Sequence, residues 1–225
     1  MTFARPVPLS PASFRPMATD VEICNQALVR VGENVVTSLD DDTEASRRCL
    51  IAYAPTVREV LRDGQWHCAT HRAVLAPLAQ KPAFGWERQF LLPADFIRTI
   101  SLNEADVSDP ASDCPLFSVA GPVLLSNVDE ARIVYVRDLL QAPAQDPATA
   151  PTMERIDPVL ESAIVLKLAS KLAWAFQQSR ILSESLLAEY GEQLKRAWNI
   201  NSRDAWGRAP GQLSGTQSAW LAHRR

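Results

Sequence analysis

The stretch DPVLESAIVLKLASKLAWAFQQ, residues 157–178, carries one unbroken structural message, and its reading decides the fold. Asp157 suits an N-cap, because a short carboxylate accepts hydrogen bonds from the free N–H groups of a first turn. Pro158 suits the first helical position, where an N–H would have no partner, and Glu161 lies near the positive end of the helix dipole. Leu160, Ile164, Lys167, Leu168, Lys171, Leu172 and Phe176 recur at threes and fours. Val165, Leu166, Ala169 and Ala173 widen the apolar surface well past one stripe, so this helix requires neighbours on several sides. We expect it at the centre of a helical bundle. The four extra positions are expected either to pack one subunit against another or to close the helical domain itself.

Upstream, Thr19 and Glu22 have capping-box spacing, and Ile23, Ala27, Leu28 and Val31 form a helical stripe ending at Gly32. A second helix is expected over about 43–62, with Ala45, Cys49, Tyr53, Val57, Val60 and Leu61 inward. The acidic run Asp40, Asp41 and Asp42 belongs at its N-terminus, Gly64 should stop it, and Pro55 should kink or restart it. From Trp66 the period shortens toward two through WHCATHRAVLAP, RQFLLP, DFIRTISL, PLFSVAG, PVLLSN and ARIVYVRD. Ala120, Gly121 and Pro122 are the expected hairpin tip. Because these short strands come as one block between helices, they predict an antiparallel subdomain rather than a parallel βαβ sheet.

Downstream, a last helix over about 182–200 carries Leu182, Leu186, Tyr190, Leu194 and Trp198 at spacing four. The expected class is therefore α+β: an antiparallel helical bundle with a small inserted antiparallel β domain and extended N- and C-terminal arms. The boundaries are an N-terminal arm at 1–18, a first helical segment at 19–64, the β domain at 65–141, a Pro/Ala linker at 142–156, a second helical segment at 157–202 and a C-terminal arm at 203–225. The first arm, rich in Pro6, Pro8, Pro11 and Pro16, lacks the apolar core of a signal peptide. The second combines Trp206, Arg208, Trp220, Leu221, Arg224 and Arg225, residue types suited to anchoring a partner interface.

Composition excludes several classes of function. With 47% hydrophobic and 22% charged residues the chain is ordinary globular protein, and Lys167 and Lys171 interrupt its most apolar helix, so no membrane association is expected. A net charge of −3 gives no general basic footprint for nucleic acid. Cys24, Cys49, Cys68 and Cys114 are dispersed and read as small reduced core residues. His67, Cys68 and His71 are the best metal candidates, yet on a strand the two histidines would lie roughly 13 Å apart. No cofactor or metal site is expected. Nor is there a nucleophile elbow, a zinc-protease helix, a phosphate loop or a dinucleotide glycine pattern, and the expectation is a protein that is not an enzyme. The competing enzymatic expectation is a cell-envelope (peptidoglycan) hydrolase using carboxylates such as Glu87 or Asp95.

Three stretches then resemble a known family. They are ICNQAL at 23–28 with Arg30, Val31, Gly32 and TSLD at 37–40; Ala45, Cys49, Tyr53, Pro55, Arg58 and Leu61 followed by Trp66, Ala69, Thr70 and Arg72; and LLPADFIR at 91–98. Their order and spacing resemble the head-to-tail adaptors of tailed bacteriophages, the group that includes tail tubular protein A. That resemblance implies a structural ring, commonly of twelve copies, bound to the portal protein at the head–tail junction of the virion and assembled in the host cytoplasm. It further implies a downstream tail protein as partner and double-stranded DNA passing through the channel without specific binding. A stopper or tail-completion factor is the alternative within the same setting.

Overall fold

The structure, a computed structural model, describes residues 19–103, 105–106, 116–141 and 156–204, with the backbone alone for 105–106 and 201–204. The expected arms at 1–18 and beyond 204, and nearly all of the linker, lie outside the described residues. The chain is α+β. Two helices, α1 (Asp20–Val31) and α2 (Glu44–Asp63), precede seven strands, and α3 (Pro158–Gln177) and α4 (Arg180–Asp204) follow them.

The helix boundaries follow from caps. Thr19 and Glu22 form the reciprocal capping box of α1, and Gly32 ends that helix at φ +82°. Thr43 accepts a hydrogen bond from the Ser46 N–H to start α2. Asp157 accepts from the Val159 N–H at 2.7 Å, with Pro158 at the first turn of α3, and Gln178 closes that helix in the left-handed region. The acidic run lies directly before the N-cap of α2, as expected, and its side chains also bond locally. Asp41 accepts from the N–H groups of Thr37 and Ser38 and so folds the loop before α2, while Asp42 pairs with Arg47.

The two further expectations about α2 fare differently. Pro55 does not restart the helix, which is continuous over Glu44–Asp63. Proline leaves the carbonyl four residues back without a donor, and here that residue, Ile51, is exposed together with Pro55, so water can satisfy the carbonyl. Gly64 does follow the last turn, but its φ of −115° needs no glycine. The reason for glycine is contact: a Cβ there would lie 2.6 Å from the Trp66 ring, whose Nε1–H donates to the Val60 carbonyl at 2.9 Å.

Past a 3-10 turn at His67–Ala69, the strands β1 (Thr70–Leu75), β2 (Arg88–Leu91), β3 (Phe96–Leu102), β4 (Ala105–Asp106), β5 (Ser118–Ala120), β6 (Val123–Ser126) and β7 (Ala131–Arg137) form two antiparallel sheets. Their orders are β1-β7-β3-β4 and β2-β6-β5. Gly121, at φ +59°, makes the expected tip between β5 and β6. His67 thus sits in a turn and not on the strand that carries His71.

β7 joins two hydrophobic clusters. Ala131, Ile133 and Tyr135 point into a cluster with Phe90, Leu124 and Leu102, while Val136 points the other way into the helical core. On β3 the register shifts between Phe96 and Arg98 and again between Thr99 and Ser101. Ile97 and Ile100, three residues apart, would face opposite sides of a regular strand, yet both pack against the helical cluster. The irregularities bring them to one side.

α3 packs against α1, α2 and α4. From Ala163 to Ala173 its side chains are buried except Lys167 and Lys171, which form a polar seam with the neighbouring helices. Lys167 donates to Asp63 at 2.6 Å, Lys171 to Glu59 at 2.8 Å, and the Tyr190 hydroxyl of α4 donates to the same Asp63 at 2.8 Å. Gln177 ties the far end of α3 to the Val31 carbonyl.

On α4, Leu186, Tyr190 and Ala197 are buried, but Trp198 is 61% exposed, against expectation. Spacing four advances 400° around a helix, so each step drifts about 40° and four steps from Leu182 carry Trp198 roughly 160° away from the starting face. The core therefore takes Ala197 instead. This separates two substitutions that the sequence pattern groups together: Leu168→Ala should cost about 2–5 kcal/mol in urea denaturation, and Trp198→Ala no more than about 0.5 kcal/mol.

Candidate interaction surfaces

His67, Cys68 and His71 are all exposed, and among the described residues no cluster of three metal-ligating side chains occurs. Cys24 and Cys49 adjoin in the core between α1 and α2 as free thiols, where the hydrogen bond that Cys24 donates to Cys49, together with burial, pushes the Cys24 thiol up, away from a reactive thiolate. Asp95 has both oxygens engaged: the Tyr135 hydroxyl donates to one at 3.1 Å, and Arg137 lies 3.8 Å from the other. Burial, together with that Asp95 carboxylate, pushes the Tyr135 hydroxyl up as well, which keeps it a hydrogen-bond donor. Glu87 lies elsewhere, against a cleft of about 510 Å³ with Trp86 and Lys81. Asp95 does not line that cleft.

The residues that do converge hold helix to sheet. Arg58 of α2 pairs at 2.7 Å with Asp138, just past β7, whose side chain is only 4% exposed. The same Asp138 accepts from the Leu140 N–H, and its own N–H donates to the Asp95 carbonyl. Arg98 of β3 donates to the Gly64 carbonyl at 2.8 Å. Elsewhere Asn25 bonds both the N–H and the carbonyl of Val36 at 2.8 Å, clamping the loop after α1, and Tyr53 donates to Asp20. Asn25, Tyr53, Arg58 and Arg98 are thus fasteners of the fold.

Of the positions expected to pack subunits, Val165, Leu166, Ala169 and Ala173 are all buried within this one chain. The reason is that α3 is covered by three helices rather than one or two, so its extra width closes the chain's own core. Another copy would have to meet other residues. The C-terminal group Trp206, Arg208, Trp220, Leu221, Arg224 and Arg225 lies outside the described residues, and α4 itself reaches Asp204, two residues into the span assigned to that arm.

What the sequence reading missed is apolar surface left uncovered. Trp174 at the end of α3 is 59% exposed, Ile181 at the start of α4 83%, and Leu50 and Ile51 on α2 are also exposed. Arg48 links these regions, since its guanidinium donates to the Ala175 carbonyl and stacks 4.4 Å over the Phe176 ring. Ile51 lies three residues beyond Arg48 and so shares its side of α2. The only sequence signal was Trp174 falling off the apolar periodicity. A second missed feature is the loop before β2, where Phe84 is 86% exposed beside Gly85 at φ +82° and Trp86. An aromatic pair flanking glycine between two strands was its signal. Compared with protein-family models and with curated proteins, the chain finds no match.

The Asp63 seam makes a prediction with a definite sign. Burial alone would raise this carboxyl, but hydrogen bonds from Lys167 and Tyr190 and the charges of Lys167 and Arg62 outweigh it and hold it below the usual range. A carboxyl lowered on folding contributes stability above its unfolded pKa of about 3.9, and that contribution is lost as pH falls through the lower folded value. Asp63→Asn should therefore unfold at lower urea than the unsubstituted chain at pH 7, and the gap should narrow steadily below about pH 4. A gap independent of pH would show that packing, not charge, accounts for the loss.

Proposed function

We propose that this chain is a structural adaptor at the head–tail junction of a tailed bacteriophage. In this reading a helical domain, interrupted by an inserted β domain, builds a ring of about twelve copies under the portal protein. The ring extends the channel through which double-stranded DNA leaves, and offers a platform to the next tail component. The observation that carries the reading is the exposure of large apolar side chains on three helices, Leu50 and Ile51 of α2, Trp174 near the end of α3 and Ile181 at the start of α4. Exposed apolar residues mark an assembly surface where they adjoin, and Arg48, bonded to the Ala175 carbonyl, brings the side of α2 that carries Ile51 next to the end of α3 that carries Trp174.

Further support comes from where the resemblance lies. Asn25, Tyr53, Arg58, Trp66 and Arg98 fasten α1, α2 and the sheet to each other, so the shared residues are those that would specify a shared fold. The net charge of −3 suits a channel in which attraction to phosphate would retard the genome. Residues 203–225, with Trp206, Arg208, Trp220, Leu221, Arg224 and Arg225, supply the contact to the portal or to a neighbouring copy.

Two outcomes test this. Trp174→Glu combined with Ile181→Glu should leave circular dichroism and denaturation midpoint close to those of the parent, because both residues are exposed, while abolishing copurification of multiple copies with the portal. Deleting 205–225 should weaken portal attachment at least tenfold in a pull-down. Full attachment by both variants would remove the proposed contacts.

A further inference from the structure

The cleft before β2 has no task in the adaptor reading. It is lined by Pro77, Leu78, Pro82 and Trp86, with Glu87 and Lys81 supplying one charge of each sign, and its volume is about 510 Å³. Arg88, which also lines it, is held in an ion pair with Asp129, whereas Glu87 has no ion pair among the described residues. An aromatic ring set among apolar side chains, with a carboxylate beside it, is the chemistry that receives a proline-rich strand carrying a basic residue. Such ligands lie in the polyproline conformation, which has three residues per turn and no internal hydrogen bonds. Its carbonyls are therefore free to accept from a donor such as Lys81.

The chain itself contains a segment of that composition. Residues 5–11 read RPVPLSP, and Arg5, Pro8 and Pro11 recur at intervals of three, which places all of them on one edge of a three-residue turn. Seven residues in this conformation span roughly 19 Å at about 3.1 Å per residue. The other proline-rich segment, APAQDPATAPT at 142–152, has its prolines Pro143, Pro147 and Pro151 at intervals of four. That spacing spreads them around all three edges, and Asp146 is of the wrong charge for Glu87. We infer that the Trp86 cleft is the docking site of residues 5–11 of this chain, with Pro8 and Pro11 against Trp86 and its apolar neighbours and Arg5 paired with Glu87. The inference does not rest on the adaptor reading.

Fluorine NMR of the full chain grown with 5-fluorotryptophan tests it, since the six tryptophans give separate signals and Trp86→Phe assigns the relevant one. Pro8→Ala with Pro11→Ala should move the Trp86 signal and leave the other five in place. A synthetic peptide of residues 3–14 added to that double variant should move it back, saturably. Glu87→Gln should weaken the peptide about two- to fivefold, as expected for losing one exposed ion pair, and added salt should do the same. A Trp86 signal identical in both chains and unmoved by millimolar peptide would overturn the proposal.

Discussion

Enclosure of α3 on three sides is the constraint on which the rest of the structure depends. Its apolar surface is too wide for one partner, so α1, α2 and α4 must all lie against it, and their lengths and directions follow. The two lysines are tolerated there because each finds a carboxylate on α2, and Asp63 is shared with Tyr190 of α4. An unpartnered ammonium in that position would carry a heavy desolvation cost. The polar seam therefore sets which faces of α2 and α4 can meet α3, while the apolar contacts supply most of the free energy. Helix and sheet are then joined through Val136, Ile97 and Ile100 and through the Arg58–Asp138 pair.

Most of this was legible in the residues, and the exceptions have physical causes. Caps are local chemistry, so Thr19, Gly32, Thr43 and Asp157 mark helix ends without reference to anything distant. Periodicity is nearly as local, but its reading fails when the interval is not matched to 3.6 residues, as Trp198 shows. Gly64 was placed correctly for the wrong reason, because the Trp66 ring that requires it comes from tertiary packing. Pro55 does not restart α2 because the Ile51 carbonyl can be solvated, which depends on which side of the helix faces water. The two register shifts in β3 left no trace in composition.

The surfaces were less legible than the core. Val165, Leu166, Ala169 and Ala173 looked surplus to one subunit, yet three-sided enclosure uses all of them. Large apolar side chains are instead left in water at Ile51, Trp174 and Ile181, which no periodic pattern singles out because their exposure depends on where the neighbouring helices lie and end. The same holds for Phe84 and Trp86, whose setting is created by the return of the chain from β1 to β2. A core announces itself through repetition, whereas a binding surface is a set of departures from it.

The claim that this chain works as a ring on a portal is tested most directly by native mass spectrometry of the purified protein with and without portal rings. The account predicts a complex in which about twelve copies join each portal ring, whether or not the chain assembles alone. A single copy in both samples, with the protein folded, would contradict it.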